Sequence, residues 1–209
     1  MPPVIGREGY CVNELKTANH CIKRLIRSVN GLRDGIEAIL SDLRKVYRFS
    51  DVAKVNAGRI SACYEDFEEW LNALVVSRPM PPGIVGLYFG LYDTEDGIML
   101  YVSGSSAWDP KDPDWACRND WFPDEGSIRL DIYRDISMMF SRLSCTGYYL
   151  AVAILVVMIK EYVANSVISL LDDERQSLCI ACGFDDGMLH NLGALFDDGM
   201  APPDGQGIW

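Results

Sequence analysis

The sequence predicts an α+β domain, with long N-terminal helices and a central apolar helix packed on a small, mostly antiparallel sheet. Three observations predict this class. Apolar residues recur at helical spacing to about residue 76, the spacing changes to that of a β-hairpin at residue 84, and a long apolar segment follows near residue 150. At 209 residues, 49 % of them hydrophobic, the chain can form one core. We therefore expect a single domain, with a helical part at about 11–78, a sheet-containing part at about 84–195 and a C-terminal tail at 196–209.

The first predicted helical segment is residues 15–46, where apolar residues follow one another at steps of three and four. Asn30-Gly31 and Gly35 interrupt the pattern with weak helix formers. The unbroken register favours one long helix, whereas Asn-Gly favours two helices that meet near Asn30. We expect one helix. Its apolar stripe could also join two copies of the chain, although the next helix is amphipathic and can cover it.

A second helix is predicted over 59–76, where Pro79 and the prolines after it end the helical pattern. Two strands then follow at 84–92 and 97–103, separated by four polar residues, which is the pattern of a β-hairpin. A polar loop rich in aromatic residues continues as far as Gly126.

The remaining predicted elements alternate between strand and helix. We expect a strand at 128–133, a short helix at 136–143, a long apolar helix at 146–171 and a strand at 177–184. Asp185-Asp186-Gly187 is predicted to turn the chain into a short helical piece. This order of elements argues for helices packed on one face of the sheet.

The termini and cysteines bear on the location of the chain. Residues 1–10 lack the charged and apolar regions of a signal peptide, and the longest apolar run, 148–159, is shorter than the ~20 residues of a membrane span. We therefore expect a cytoplasmic protein with no membrane partner, whose seven cysteines are reduced. Cys179 and Cys182 have C-x-x-C spacing, but on a strand they point to opposite faces, which argues against zinc. No cofactor or metal is expected.

Charge is distributed unevenly along the chain. Residues 1–60 carry eleven basic and six acidic residues, and the rest carry eight and twenty-four, which leaves a net charge of −11. An acidic field repels nucleic acid and attracts basic protein surfaces. The sequence therefore disfavours DNA or RNA as a partner and favours a basic protein. The alternative is that the acids only keep the domain soluble.

No complete catalytic motif occurs, and we expect no enzyme activity. His20 is beside Cys21 on a helix, where neighbours do not face each other, and His190 could be a base, or else a surface or capping histidine. Phe-Asp-Asp-Gly-Met occurs at 184–188 and again at 196–200. Its paired acids could hold a divalent cation, but neither copy has the EF-hand pattern and Asp-Gly is also a turn signal. They form a secondary candidate site: Asp185, Asp186, Asp197 and Asp198.

The most unusual segment is the loop at 108–125, which combines three of the five tryptophans with acids and prolines. Large aromatic residues dominate the binding energy of many interfaces, and acids around them attract a basic partner. The predicted partner-binding residues are Trp108, Asp109, Asp112, Asp114, Trp115, Asp120, Trp121 and Asp124. Alternatively, the tryptophans fold back over an open edge of the sheet while the acids remain in water.

Several motifs resemble those of a group of uncharacterised bacterial proteins. They are GLYFGLY at 86–92, LYVSGS at 100–105, WD at 108–109, DWAC at 114–117 and WFP at 121–123, with GFDDG at 183–187 and LG at 192–193 similar to the C-terminal end of that group. The resemblance covers about residues 84–195. Such proteins look like immunity partners of polymorphic or secreted antibacterial toxins, which are small, acidic and intracellular.

The resemblance implies a protein that neutralises a cognate toxin or effector domain by contact, occluding its active site. It implies no catalytic residues. Two alternatives remain at this point: a metal-dependent hydrolase that uses the four aspartates of the secondary site, and a non-catalytic regulatory or scaffolding domain that forms a homo-oligomer through residues 15–46.

Overall fold

The computed structural model describes residues 7–47, 55–109, 112–140, 145–165, 170–171 and 175–203, with side chains from residue 13 onwards. The helices are α1 (Arg7–Ser28), α2 (Leu32–Lys45), α3 (Ala57–Ser77), α4 (Asp131–Met139) and α5 (Cys145–Asn165), with a 3-10 helix at Pro113–Cys117. The strands are β1 (Gly86–Thr94), β2 (Gly97–Ser105), β3 (Ser127–Ile128), β4 (Leu178–Phe184), β5 (His190–Phe196) and β6 (Gly199–Ala201). The predicted α+β class, with a central apolar helix, is confirmed.

The expectation of one helix over residues 15–46 is wrong, because α1 ends at Ser28 and α2 begins at Leu32. The first N–H group of α2, that of Leu32, donates to a carboxylate oxygen of Glu161 at 2.6 Å. This contact from α5 caps the second helix, where Asn30-Gly31 weakens the chain. The apolar register continues across the break because both helices bury their stripe against α5. Most of the apolar stripe is thus buried within the chain, whereas Leu15 and Val46 at its ends are exposed. Self-association through residues 15–46 stays a prediction.

The six strands form one mixed sheet in the order β3-β2-β1-β4-β5-β6. β1 and β4 are parallel, and the other four neighbouring pairs are antiparallel, so the sheet is mostly antiparallel as predicted. The helices and the main core lie on one face, which we call the inner face. The other face is the outer face.

Three predicted elements at the sheet differ from the structure. The strand predicted at 128–133 is only two residues long, because α4 begins at Asp131 and buries Ile132 and Ile136 on one side. Asp185-Asp186-Gly187 leads into β5 and not into a helical piece. The predicted tail at 196–209 begins inside the sheet, since β6 pairs with β5. In both copies of the repeat, the Asp-Asp pair lies in the turn of a hairpin.

The central helix is α5, whose residues from Tyr149 to Ile159 are all fully buried. Within the described residues it is the one helix long and apolar enough to cross a membrane, yet 72 % of its most apolar stretch is buried inside the fold. The sheet covers one side of α5, and α1 and α2 pack on it from the helical side. Of the segment predicted as the end of this helix, residues 166–169 lie outside the described part of the chain.

Two buried polar groups tie these elements together. Asp42, 3 % exposed, accepts hydrogen bonds from Arg24 at 2.5 Å and from the Tyr149 hydroxyl at 2.6 Å, so that one carboxylate joins α1, α2 and α5. The guanidinium group of Arg175 donates to four backbone carbonyls: those of Met80, Pro81, Ile84 and Leu170. It thereby holds the turn before β1 next to the start of β4.

Candidate protein-binding face

The outer face of the sheet carries a row of tyrosines. Tyr88 and Tyr101 come from β1 and β2, with ring centroids 5.9 Å apart, and Tyr92 lies at the same distance from Tyr101. A side chain at Gly90 would collide with the Tyr101 ring. The glycine therefore lets Tyr101 lie across β1 and reach β4, where its hydroxyl donates to Asp185 Oδ1 at 2.6 Å.

Asp185 is the member of the secondary site that joins this face. Partial burial raises the pKa of its carboxyl, and the neighbouring Asp186 raises it further, while the hydrogen bond from Tyr101 opposes the shift. Burial also raises the pKa of the Tyr101 hydroxyl, so that the tyrosine remains the proton donor at neutral pH. The pair links the end of β4 to β2 through side chains.

Trp115 was predicted to contact a partner, but it is only 3 % exposed. It lies on the 3-10 helix and packs over Gly86, where a side chain would leave no room for its ring. Trp108 packs edge-on against it with ring centroids 4.7 Å apart. Trp115 also belongs to a small buried cluster with Tyr88 and Ala181 on the outer face. Its role is therefore to attach the loop to the sheet.

Trp121 is the second buried tryptophan, at 7 % exposure. Its backbone pairs with Gly104, with N–H to O distances of 3.0 and 2.8 Å in the two directions, at the edge of β2. The alternative in which tryptophans fold back over an open edge of the sheet thus fits Trp121, whereas Trp115 packs on the outer face of the internal strand β1.

The acids of the loop remain in water, and two of them shape it. Asp112 caps the 3-10 helix by accepting the N–H of Asp114 at 3.1 Å. Asp120 accepts the backbone N–H and the hydroxyl of Ser106 at 2.8 and 2.7 Å, and these hydrogen bonds lower the pKa of its carboxyl. The other predicted acids of this loop, Asp109, Asp114 and Asp124, are also exposed.

Phe122 is the residue that the sequence-based site missed. Its residue surface is 52 % exposed, and its ring centroid is 5.8 Å from that of Tyr101. Successive side chains of an extended segment point in opposite directions, so burial of Trp121 turns the Phe122 side chain outwards. This alternation is the signal that could have identified Phe122. Phe122, Tyr101 and Tyr92 thus form an aromatic patch beside Asp185, which together with the exposed loop acids we call the acidic aromatic face.

The four aspartates of the secondary site do not come together. The turn with Asp185 and Asp186 precedes β5, and the turn with Asp197 and Asp198 follows it, so the seven residues of β5 lie between them. At ~3.3 Å per residue, roughly 20 Å separates the two turns. The described residues include no group of three or more side chains suited to a metal. The four acids that the hydrolase alternative would use therefore do not form one centre.

Neither histidine completes a catalytic centre among the described residues. His190 is buried, not at the surface, and its Nε2 lies 2.8 Å from the Tyr148 hydroxyl. Burial lowers its pKa to about 4, with a smaller contribution from Lys23. His20 is exposed on α1. Cys179 and Cys182 lie on opposite faces of β4, as the strand pattern predicted, with Cys182 in the main core.

No family model, curated protein or solved structure matches the chain.

Proposed function

We propose that the chain is an immunity-type protein that binds a basic toxin or effector domain in the cytoplasm through the acidic aromatic face and occludes its active site. The observation that carries the proposal is the exposure of Phe122. This aromatic residue is half-exposed, and it lies on a loop that Trp115 and Trp121 attach to the sheet. Binding sites commonly place an aromatic residue at the centre and charged residues around it. Occlusion of an active site requires affinity and no catalytic residue.

The described part of the loop, residues 108–109 and 112–125, is suited to this role because contacts within the chain already order it. Trp115 and the backbone pairing of Trp121 hold it to the sheet, the cap from Asp112 fixes the start of the 3-10 helix, and Asp120 ties the loop to Ser106. A preordered loop loses little conformational entropy on binding, which increases affinity. Its exposed carboxylates add long-range attraction for a basic surface.

The test uses the protein product of the neighbouring reading frame as the partner. Binding kinetics would be measured for wild type and two variants, Phe122→Ala and the double variant Asp114→Lys/Asp124→Lys. Losing the aromatic contact should speed dissociation and weaken binding by about 2 kcal/mol or more. Charge reversal should instead slow association and reduce its dependence on salt.

Matched controls come from α3, which lies on the inner face. Val76→Ala removes an apolar side chain from a residue that is even more exposed, at 68 %, and Asp66→Lys/Glu69→Lys reverses two exposed acids. Both should bind as wild type does. If the α3 variants change the binding kinetics as much as the loop variants do, the acidic aromatic face is not the binding site. The same conclusion follows if a folded Phe122→Ala binds with wild-type kinetics. Binding without relief of the partner's toxicity in a co-expression assay would contradict the immunity function itself.

A further inference from the structure

A cavity of about 680 Å³ lies at the end of the sheet where the parallel strands β1 and β4 both finish. Its wall comes from α1, α4, the first turn of α5 and the two adjacent hairpin turns. Most of the side chains that line it are apolar: Leu15, Ile98, Ile136, Phe140, Phe184 and Met188. Cavities of about 300–1,000 Å³ with such walls are typical of small-molecule sites.

The hydroxyl groups in this wall already have partners. The Tyr148 hydroxyl is bonded to His190, and the Ser137 hydroxyl accepts from the N–H of Ile98 at 3.2 Å and donates to the carbonyl of Tyr133 at 2.9 Å. His190 is neutral at neutral pH because burial lowers its pKa to about 4. The inner wall is therefore uncharged, and it offers contact to an apolar group.

The charged side chains that line the cavity are both acidic. Asp93 comes from the end of β1 and Asp186 from the turn after β4. Among the described residues, neither carboxylate is within ion-pair distance of a lysine or arginine. Tyr148 and Phe184 also line the cavity as a stacked pair, with ring centroids 5.7 Å apart. Aromatic rings and unpaired carboxylates both attract a cation.

We propose that this cavity binds a small organic cation, in which an amine is attached to an apolar or aromatic body. The ammonium group would lie near Asp93 and Asp186, and the body would contact the apolar wall. One lysine or arginine side chain of a protein would leave most of the volume empty, which favours a whole small molecule. The site is separate from Phe122 and its loop, so it goes beyond the proposed function.

Three probes of similar size and different charge test the proposal: phenylbutylamine, phenylbutanol and phenylbutyrate. Titrations would follow isotope-labelled methionine methyl groups by NMR, because Met188 lines the cavity and Met200 holds the same place in the second copy of the repeat, at the far end of β5. The amine should bind most tightly and shift the Met188 methyl resonance while leaving that of Met200 in place. The alcohol should bind more weakly and the acid most weakly.

The repeated sequence supplies a matched control for charge. Asp93→Asn/Asp186→Asn should weaken binding of the amine about fivefold and leave the alcohol unchanged, since each exposed ion pair contributes at most about 1 kcal/mol. Asp197→Asn/Asp198→Asn makes the same change in charge away from the cavity and should have no effect. Leu15→Trp, which fills the mouth of the cavity, should abolish binding of all probes in a protein that still unfolds cooperatively.

Three results would overturn the proposal. These are the absence of any probe-induced shift at Met188, equal affinity for the amine and the alcohol, and equal effects of the two double aspartate variants.

Discussion

At the residue scale, the hydroxyl groups of two stacked tyrosines have opposite effects on the stability of the fold. The rings of Tyr47 and Tyr149 lie 4.8 Å apart between the helices. The Tyr149 hydroxyl donates to the buried carboxylate of Asp42 at 2.6 Å. The Tyr47 hydroxyl is buried without a hydrogen-bond partner among the described residues. A buried polar group without a partner, such as the Tyr47 hydroxyl, destabilises the folded state. A donor to a buried carboxylate, such as the Tyr149 hydroxyl, stabilises it, because its loss would leave the charge poorly solvated.

We therefore expect Tyr149→Phe to lower the free energy of unfolding by about 1–3 kcal/mol. Tyr47→Phe, which keeps the same ring stacking, should leave stability unchanged or raise it by up to about 1 kcal/mol. Urea denaturation of the two variants and of wild type measures both effects. If Tyr47→Phe is as destabilising as Tyr149→Phe, the Tyr47 hydroxyl has a partner in solution.

The residues of the candidate face show what one sequence can and cannot predict. The loop was identified from its aspartates and tryptophans, and its acids are indeed exposed. The burial of Trp115 was not predictable locally, because it depends on the bare backbone of Gly86, far away in the chain. Phe122 became the exposed aromatic residue only because the pairing of Trp121 with Gly104 fixes which way each side chain points.

At the element scale, a hydrogen bond between His190 and Tyr148 joins the strand β5 to the helix α5. The pKa of His190 is about 4 in the fold against an ordinary value of 6.5. Above pH 6.5 the ring is neutral in both the folded and unfolded states. Between pH 6.5 and about 4 the unfolded chain takes up a proton that the folded chain does not. The contribution of this group is therefore lost as the pH falls through that range.

The expected loss is about 3 kcal/mol between neutral pH and pH 4. The free energy of unfolding would be measured across this range for wild type, His190→Gln and His20→Gln. His190→Gln should lose this component of the pH dependence, and His20→Gln, at an exposed position, should keep it. If the free energy of unfolding depends on pH in the same way for wild type and His190→Gln, His190 is protonated equally in the folded and unfolded states.

Like the site residues, the helices and strands were predictable where they depend on the local pattern and not where they depend on distant contacts. Periodicity located α3, α5, the β1–β2 hairpin and β4, because each buries a continuous face. The break between α1 and α2 depends on a cap from Glu161, which is distant in sequence. The strand β5 was missed because Asp-Asp-Gly specifies a turn but not the element that follows it.

At the scale of the whole molecule, one core joins the helical and sheet-containing parts. The main hydrophobic cluster includes residues of all five helices and of the sheet, such as Ile39, Phe67, Phe89 and Leu155. The helical part and the sheet-containing part are therefore separate in the sequence but share one core. Charge is still divided, because the basic residues of α1 and α2 lie on the helical side and the acidic loop covers the outer face.

A shared core should unfold in a single transition. Far-UV circular dichroism reports mainly on the helices, and tryptophan fluorescence reports largely on the outer loop, where three of the five tryptophans lie. We expect the two signals to change at the same denaturant concentration. An earlier change in fluorescence would show that the loop detaches before the core unfolds, and it would weaken the view of that loop as preordered.

The parallel pairing of β1 with β4 has a consequence for how the chain acquires this structure. It joins Gly86 to Cys179, whereas the β1–β2 and β4–β5 hairpins each close over a few residues. Short loops close quickly and long ones slowly, so the hairpins can form before the sheet is complete. During synthesis β1 leaves the ribosome long before β4 does, and α5 emerges between them. Until β4 arrives, an unpaired edge of β1 and the most apolar helix of the chain are both open to association with other molecules.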